Sequence, residues 1–348
     1  MTEPFEPRTT PWTFDDDDFY GLESPRERIE FLLQYAVLAP SGHNQQPWAF
    51  QITPEGVEVF ADATRRLAVI DPSNREMTIS LGAAIANLRV AASHFGFQST
   101  VRFPESAESA GAGAVATIAL RETSSPDARM SGLFSAIKRR HTNRTPFDDE
   151  TIDPDALSTL LDVVDEYPET FHVVFRQDQQ RAADLIAFAD QLLMADDSYR
   201  SELAACVHPT SDAAEDGLAA DSLGIPAPLA GAASFVLRHF DLGPLQAHRD
   251  HDLTMSATAL LIVTAHDDAI SLLQAGEALE YLLLTITQVG LQYSFLNAPI
   301  QRAELRDRVE ILAGSKRPAQ LIVRIGHGQA VANFSPRRPL AAAVVSRH

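Results

Sequence analysis

The stretch Ala39-Pro40-Ser41-Gly42-His43-Asn44-Gln45-Gln46-Pro47-Trp48 brings a hydroxyl and three side-chain amides into ten residues. Such groups hydrogen-bond a polar ligand, while Pro40, Gly42 and Pro47 set a turn that can continue neither helix nor strand. Trp48 is placed to anchor the loop in a core. The same residues also suit an ordinary helix-to-strand connection. Two cationic motifs stand out, Lys138-Arg139-Arg140-His141-Thr142-Asn143-Arg144 and Ser335-Pro336-Arg337-Arg338-Pro339. Arginine presents a planar fork of donors suited to phosphate, so the two motifs converging would make a phosphomonoester site. Either alone also suits a solvated patch paired with carboxylates.

Other constellations carry less. Gly111-Ala112-Gly113 lacks the third glycine and preceding strand of a dinucleotide fingerprint and reads as a turn, as does His327 between Gly326 and Gly328. His248-Arg249-Asp250-His251-Asp252 lacks the spacing of a zinc helix or a paired-cysteine site and reads as a polar loop before a strand, with no metal. Glu277 and Glu280 read as structural carboxylates on a helix face rather than general acids.

The elements that must position these groups show a repeat. Gly82-AAIANLRVAASHF-Gly96-Phe-Gln98 and Gly276-EALEYLLLTITQV-Gly290-Leu-Gln292 have glycine pairs 14 apart, and at an offset of 194 Gly82, Ala84, Leu88, Gly96 and Gln98 meet Gly276, Ala278, Leu282, Gly290 and Gln292. Both segments are almost continuously apolar and read as buried helices, each followed by a polar stretch and a strand, at 114–120 and 319–325. A shared helical seam would make the chain resemble a homodimer fused into one polypeptide. Two buried helices ending in glycine also arise by chance. Around them the pattern predicts helices over 25–38, 75–96, 131–138, 154–165 and 179–195. Strands are predicted over 48–52, 56–60, 171–176 and 258–264. The segment 196–252, rich in Ala, Asp, Gly and Pro and without a clear period, reads as a lid or flexible insertion.

With 348 residues, 45% of them hydrophobic, there is enough chain for a sizeable core. The lone Cys206 rules out an internal disulfide and any multi-cysteine metal site. A formal charge of -19 argues against a general nucleic-acid surface. No run of 18 apolar residues and no signal-peptide pattern appears, so the expectation is a cytoplasmic protein that neither spans nor binds a membrane. Among 28 basic residues only Lys138 and Lys316 are lysine, a balance that suits a high-salt cytoplasm and also GC-rich coding.

Taken together, the PSGHN loop, the Arg139–Arg144 segment and the Arg337-Arg338-Pro339 segment resemble the FMN-dependent nitroreductase family over about residues 25–345. The order of motifs matters. In the family the arginine segment opens each subunit and the PSxxN loop follows; here the good arginine segment opens the second half, the good loop lies in the first, and Asp165–Phe171 stands where a second loop would fall. The resemblance is therefore to a duplicated, single-chain branch. It implies an α+β nitroreductase-like fold divided into an acidic N-terminal arm (1–24), a first half (25–137) and a second half (138–348) with an insertion at about 196–252.

It further implies one FMN per chain. Arg140, Arg337 and Arg338 would hold the ribityl phosphate, His141 and Thr142 the flavin or ribityl edge, and Arg144 the N1/O2 edge. Pro40, Ser41 and Asn44 would close the site, with Leu296 and Asn297 near N5. The expected activity is NAD(P)H-dependent, ping-pong reduction of nitro or quinone compounds, with no catalytic protein nucleophile. The alternative is an FMN-binding or sequestering protein whose lid excludes the nicotinamide. The expected partner is a small electron acceptor, and the expected state is a monomeric pseudo-dimer or a weak homo-oligomer.

Overall fold

The computed structural model describes residues 12–104, 113–210, 214–220, 223, 225, 227–329 and 334–346. The first-half elements are α1 (Pro25–Ala36), β1 (Trp48–Thr53), β2 (Gly56–Ala61), α2 (Arg75–His94), β3 (Phe97–Arg102), β4 (Ala116–Glu122), α3 (Ala128–Gly132) and α4 (Phe134–Ile137). After them come α5 (Pro154–Glu166), β5 (Phe171–Val174), α6 (Gln179–Ala195), α7 (Asp197–Ala205), β6 (Val207–His208), β7 (Leu218–Ala219), α8 (Ala233–His239) and α9 (Gly243–Met255). The chain closes with β8 (Ala259–Thr264), α10 (Ala269–Gln288), β9 (Gln292–Phe295), α11 (Ala298–Gln301), α12 (Ala303–Ala313), β10 (Ala319–Gly326) and α13 (Leu340–Ala343).

Two four-stranded antiparallel sheets form, ordered β1-β2-β4-β3 and β5-β8-β10-β9. Matching β1 to β5, β2 to β8, α2 to α10, β3 to β9 and β4 to β10 turns one order into the other, with the central helix between the same two strands. Strands β3 and β9, which follow their helices directly, fall in what the sequence reading took as polar connections. β3 mixes buried with exposed positions and β9 is only four residues long, so neither shows a strong apolar run.

The repeat glycines meet at the seam. A Cβ on Gly82 would lie 2.1 Å from the carbonyl oxygen of Leu273, and one on Gly276 would lie 2.1 Å from that of Ile79. Residues 79 and 273 are themselves 194 apart, so the crossing of α2 and α10 is reciprocal, and only glycine allows the backbones this close.

Several expectations change. The acidic arm is packed where it is described: Phe19 is 6% exposed within the core, and Asp16 accepts from the Tyr35 hydroxyl and pairs with Lys138. The helix expected over 131–138 is two short ones, α3 and α4, with the turn at Leu133 between them. The described residues of the segment 196–252 form α7, β6, β7, a 3-10 turn at Ala227–Ala232, α8 and α9. Measured against the two-residue turn joining β1 to β2, the excursion runs from 175 to 258 and includes α6, whose clean helical period concealed that it belongs there. The 248–252 histidine and aspartate cluster lies inside α9, not on a loop. Of the turn at 111–113, only Gly113 lies within the described residues.

Beyond β10 the tail crosses back. Val344 bridges Phe50 in parallel, and the Val345 amide donates to the Phe50 carbonyl at 2.8 Å, extending the first sheet at its β1 edge. This crossing brings Arg337 to the PSGHN loop.

Candidate functional site

A cavity of about 660 Å³ opens beside the seam, within the usual range for small-molecule sites. It is lined by Pro40, Ser41 and Asn44 from the loop, Arg140, His141, Thr142 and Arg144 from the cationic segment, Leu296 and Asn297 after β9, and Arg337 from the tail. Residues spread over 298 positions of sequence thus share one wall. Arg338 is not among them; its guanidinium donates to the carbonyls of Gln46 and Ala342, which fastens the tail to the loop.

The loop is held in an unusual conformation. His43, Asn44 and Gln46 have φ of 47°, 56° and 51°, a region sparsely populated by residues other than glycine. Side-chain bonds over-determine it. The Ser41 hydroxyl accepts from the Gln46 amide at 2.9 Å, and Asn44 Nδ2 donates to the carbonyls of Gly217 and Pro336, both at 3.0 Å. Asn44 Oδ1 accepts from Arg337 at 3.0 Å, and Gln46 Nε2 donates to Glu215 O at 2.8 Å. The Asn44 side chain is therefore committed to holding loop, lid and tail together.

Four arginines line the cavity; Arg249 donates to the carbonyls of Leu223 and Arg144, and the other three differ in what they have left to give. A guanidinium carries five N–H donors. Arg337 directs Nε to Val37 O at 3.0 Å, Nη2 to Leu38 and Ala39 O at 3.1 Å, and Nη1 to Asn44 Oδ1 and Pro336 O at 3.0 Å. It caps the orphan carbonyls that follow α1, where a cation also complements the helix dipole. Arg140 joins the same cap through Leu38 O at 2.7 Å, donates to the Tyr293 hydroxyl, and faces Glu280 from Nε at 3.2 Å; part of its fork stays available. The half-buried Arg144 guanidinium makes no hydrogen bond among the described residues, although its carbonyl accepts from Arg249 at 3.1 Å.

Electrostatics follow from burial. Burial, reinforced by Arg249, lowers Arg144 to about 10, and burial with Arg140 beside it lowers Arg337 to about 9; both remain charged at neutral pH. His141 is driven to about 3 by burial and then by Arg140 and Arg337, and His43 to about 4 by burial and then by Arg144. Both imidazoles are neutral, and each keeps a buried ring nitrogen, His141 Nε2 and His43 Nδ1, without a partner among the described residues. Trp12 and Phe334 pack on the His141 ring and close that side. A free cation and two neutral imidazoles, each with one unpartnered ring nitrogen, therefore line a cavity suited to an anionic, aromatic or heterocyclic ligand, and FMN fits that description. Leu296 is less available than its position implies, because its amide donates to Ile322 O at 3.0 Å, while Asn297 Oδ1 accepts from the Ile322 amide at 2.9 Å.

The sequence reading left out His43, Ser294, Ser335 and a carboxylate group, Glu76, Asp190 and Asp250, all at the cavity. Asp190 had a legible signal. It falls in phase with Ala183, Ile186 and Leu193, on the buried stripe of the helix expected over 179–195.

At the matching place in the other half, side chains of the chain itself pair with one another. Arg89 pairs with Glu277, Arg129 with Glu166, and Tyr167 packs on Phe171.

The fold and site define an internally duplicated α+β protein with a cationic ligand cavity beside its seam. No family model matches the chain. It is 28% identical over 321 residues, 90% of this chain and 89% of the relative, to the Mycobacterium tuberculosis (strain H37Rv) protein named "Putative NAD(P)H nitroreductase Rv3131". It is 29% identical over 325 residues, 90% of this chain and 93% of the relative, to "Putative NAD(P)H nitroreductase acg" of the same strain. Among solved structures, a "putative nitroreductase" from Anabaena variabilis aligns over 93% of both chains at TM-score 0.49 and 12% identity. The FMN-dependent nitroreductase NfnB from Mycobacterium smegmatis, solved with NADPH, aligns over 62% of this chain and 98% of its own at TM-score 0.39 and 16% identity. The chain thus has nitroreductase-family homologues along nearly its whole length.

Proposed function

We propose that the protein is an FMN-containing, NAD(P)H-dependent oxidoreductase acting on small electron-poor acceptors such as nitro or quinone compounds, with one cofactor per chain. The observation that carries this reading is the free Arg144 guanidinium beside the neutral His43 and His141 in a ligand-sized cavity. The names of the curated relatives point the same way. Bound FMN would supply two-electron transfer between a reduced nicotinamide and the acceptor.

The chain's own residues would bind and tune. Arg144 supplies a fixed positive charge, without an internal partner, where negative charge is to be stabilised. Arg140 offers its remaining N–H groups to the phosphate, and Arg337, whose donors are saturated, acts there through charge alone. Ser41 and Thr142 add hydroxyls, and the apolar lid residues Leu203, Leu237 and Leu253 exclude water from the cavity.

The second reading, a flavin-holding protein with little turnover, is favoured by one feature. The lid is latched to the loop through Gly217 and Glu215, contacts that would have to open before nicotinamide enters. One experiment separates the two. Purified protein reconstituted with FMN should absorb near 450 nm, hold one flavin per chain, and bleach anaerobically on addition of NADPH or NADH. A preparation that cannot take up FMN would sink both readings, and a yellow one that stays oxidised would leave the holding role.

A further inference from the structure

The cavity also carries a pair of carboxylates that the arginine chemistry does not use. Asp190 on α6 and Asp250 on α9 come from helices packed against each other, and both line the cavity among Leu193, Leu242 and Leu253. Asp190 is 5% exposed, and its Oδ2 is buried without a hydrogen-bond partner among the described residues. Asp250 accepts from Gln246 Nε2 at 2.9 Å. A buried acceptor with no donor costs about 1–3 kcal/mol, more when charged, a cost that a shared proton or a donor brought into the cavity would offset. Among the described residues no group of three or more metal-ligating side chains forms, and the pair falls short of one.

We propose that the Asp190–Asp250 pair recognises the protonated amine of an otherwise apolar substrate, whose body lies against the leucines of the lid. The proposal rests on the flavin reading only in taking Arg140 and Arg144 as the cofactor's partners, which leaves the carboxylate pair for the acceptor. The charged and titratable groups that face the pair are Arg249 on α9, Arg324 on β10 and Tyr199 on α7, with Glu76 on α2 facing Tyr199 in turn. Arg249 donates to the carbonyls of Leu223 and Arg144, and Arg324 to those of Asn143 and Thr145; neither donates to Asp190. Burial, and then the charge of Asp250, pushes Asp190 up to about 9, while burial also raises Asp250. Near neutral pH the pair holds a proton that an arriving ammonium group displaces. Binding then releases up to one proton and tightens as pH rises from neutrality toward the raised titration of the pair, where an alkylamine stays charged.

The test titrates FMN-treated protein with n-octylamine and with 1-octanol by calorimetry, in two buffers of different ionisation enthalpy. The expected result is amine binding at least about tenfold tighter than alcohol, with proton release. That preference should vanish in Asp190→Asn and weaken in Asp250→Asn, each with unchanged flavin content. Equal affinity for the two probes, or a preference that survives both substitutions, overturns the proposal. Flavin uptake is read from absorbance on the same samples. Protein that takes no FMN yet prefers the amine would sink the cofactor reading and leave this one standing.

Discussion

Arg337 and Arg144 face the same cavity from opposite circumstances, one with its donors bound by carbonyls of its own chain and the other with none engaged. Removing the first strips the cap from α1 and leaves buried acceptors unpaired. Arg337→Ala should therefore destabilise the fold by about 2–4 kcal/mol, read from denaturant melts, and weaken flavin retention as a consequence. Arg144→Ala should cost less than about 1 kcal/mol of stability while lowering FMN affinity at least about tenfold; the reverse ranking would mean that the assignment of donors is wrong. Glu280 offers a pH test. Burial pushes it up to about 7 in spite of Arg140 and Arg337, so the folded state holds its proton more tightly than the unfolded chain does. Its contribution is fully present below the unfolded value near pH 4.5, is lost as pH rises through about 7, and then is flat. The stability difference between the parent protein and Glu280→Gln should shrink by roughly 3 kcal/mol across that window. A pH-independent difference would show that the carboxyl titrates normally. None of this ranking was legible beforehand, because a sequence displays the arginines but not the carbonyls they cap.

At the scale of elements, the decisive contact is the crossing of α2 and α10. Gly82 and Gly276 were recognisable as a pair because both helices kept a glycine at the same repeat position, and the structure supplies the reason: each backbone occupies the volume that the other's Cβ would need. Gly82→Ala or Gly276→Ala should each cost about 1–3 kcal/mol through overpacking. The double variant should cost less than the sum, since parting the helices for one methyl makes room for the other. Strict additivity in chemical denaturation would mean that the two sites are independent. Helix boundaries were well marked by sequence where caps are present, as at Ser24 with its capping box and Asp153 before Pro154. The lid was less so, because α7 and α8 are short and bury their residues against one another rather than against a four-stranded sheet.

Over the whole molecule, a net charge of -19 meets a duplicated core that one tail ties across its halves. Many surface carboxylates repel one another, and salt screens exposed charges within a Debye length of about 10 Å at 0.1 M. The melting temperature should rise as KCl is increased from low ionic strength to about 1 M. A flat or falling trend would show that local ion pairs such as Arg28–Glu122 and Arg306–Asp267, which salt weakens, outweigh the general repulsion.

The chain's sequence by itself determined the local chemistry: which segments are apolar with a helical or strand period, where proline and glycine force turns, and that one half carries the polar loop while the other carries the arginines. It also contained the repeat, since close helix packing demands glycine at corresponding places. Only the tertiary structure decided how the pieces share the work. Whether an arginine is spare or capping depends on carbonyls about 300 residues away, as with Arg337 and Val37. Whether Asp190 faces a cavity depends on the helix laid against it. Hydrogen bonding and desolvation act over a few ångströms of space, and separation along the chain does not report that distance.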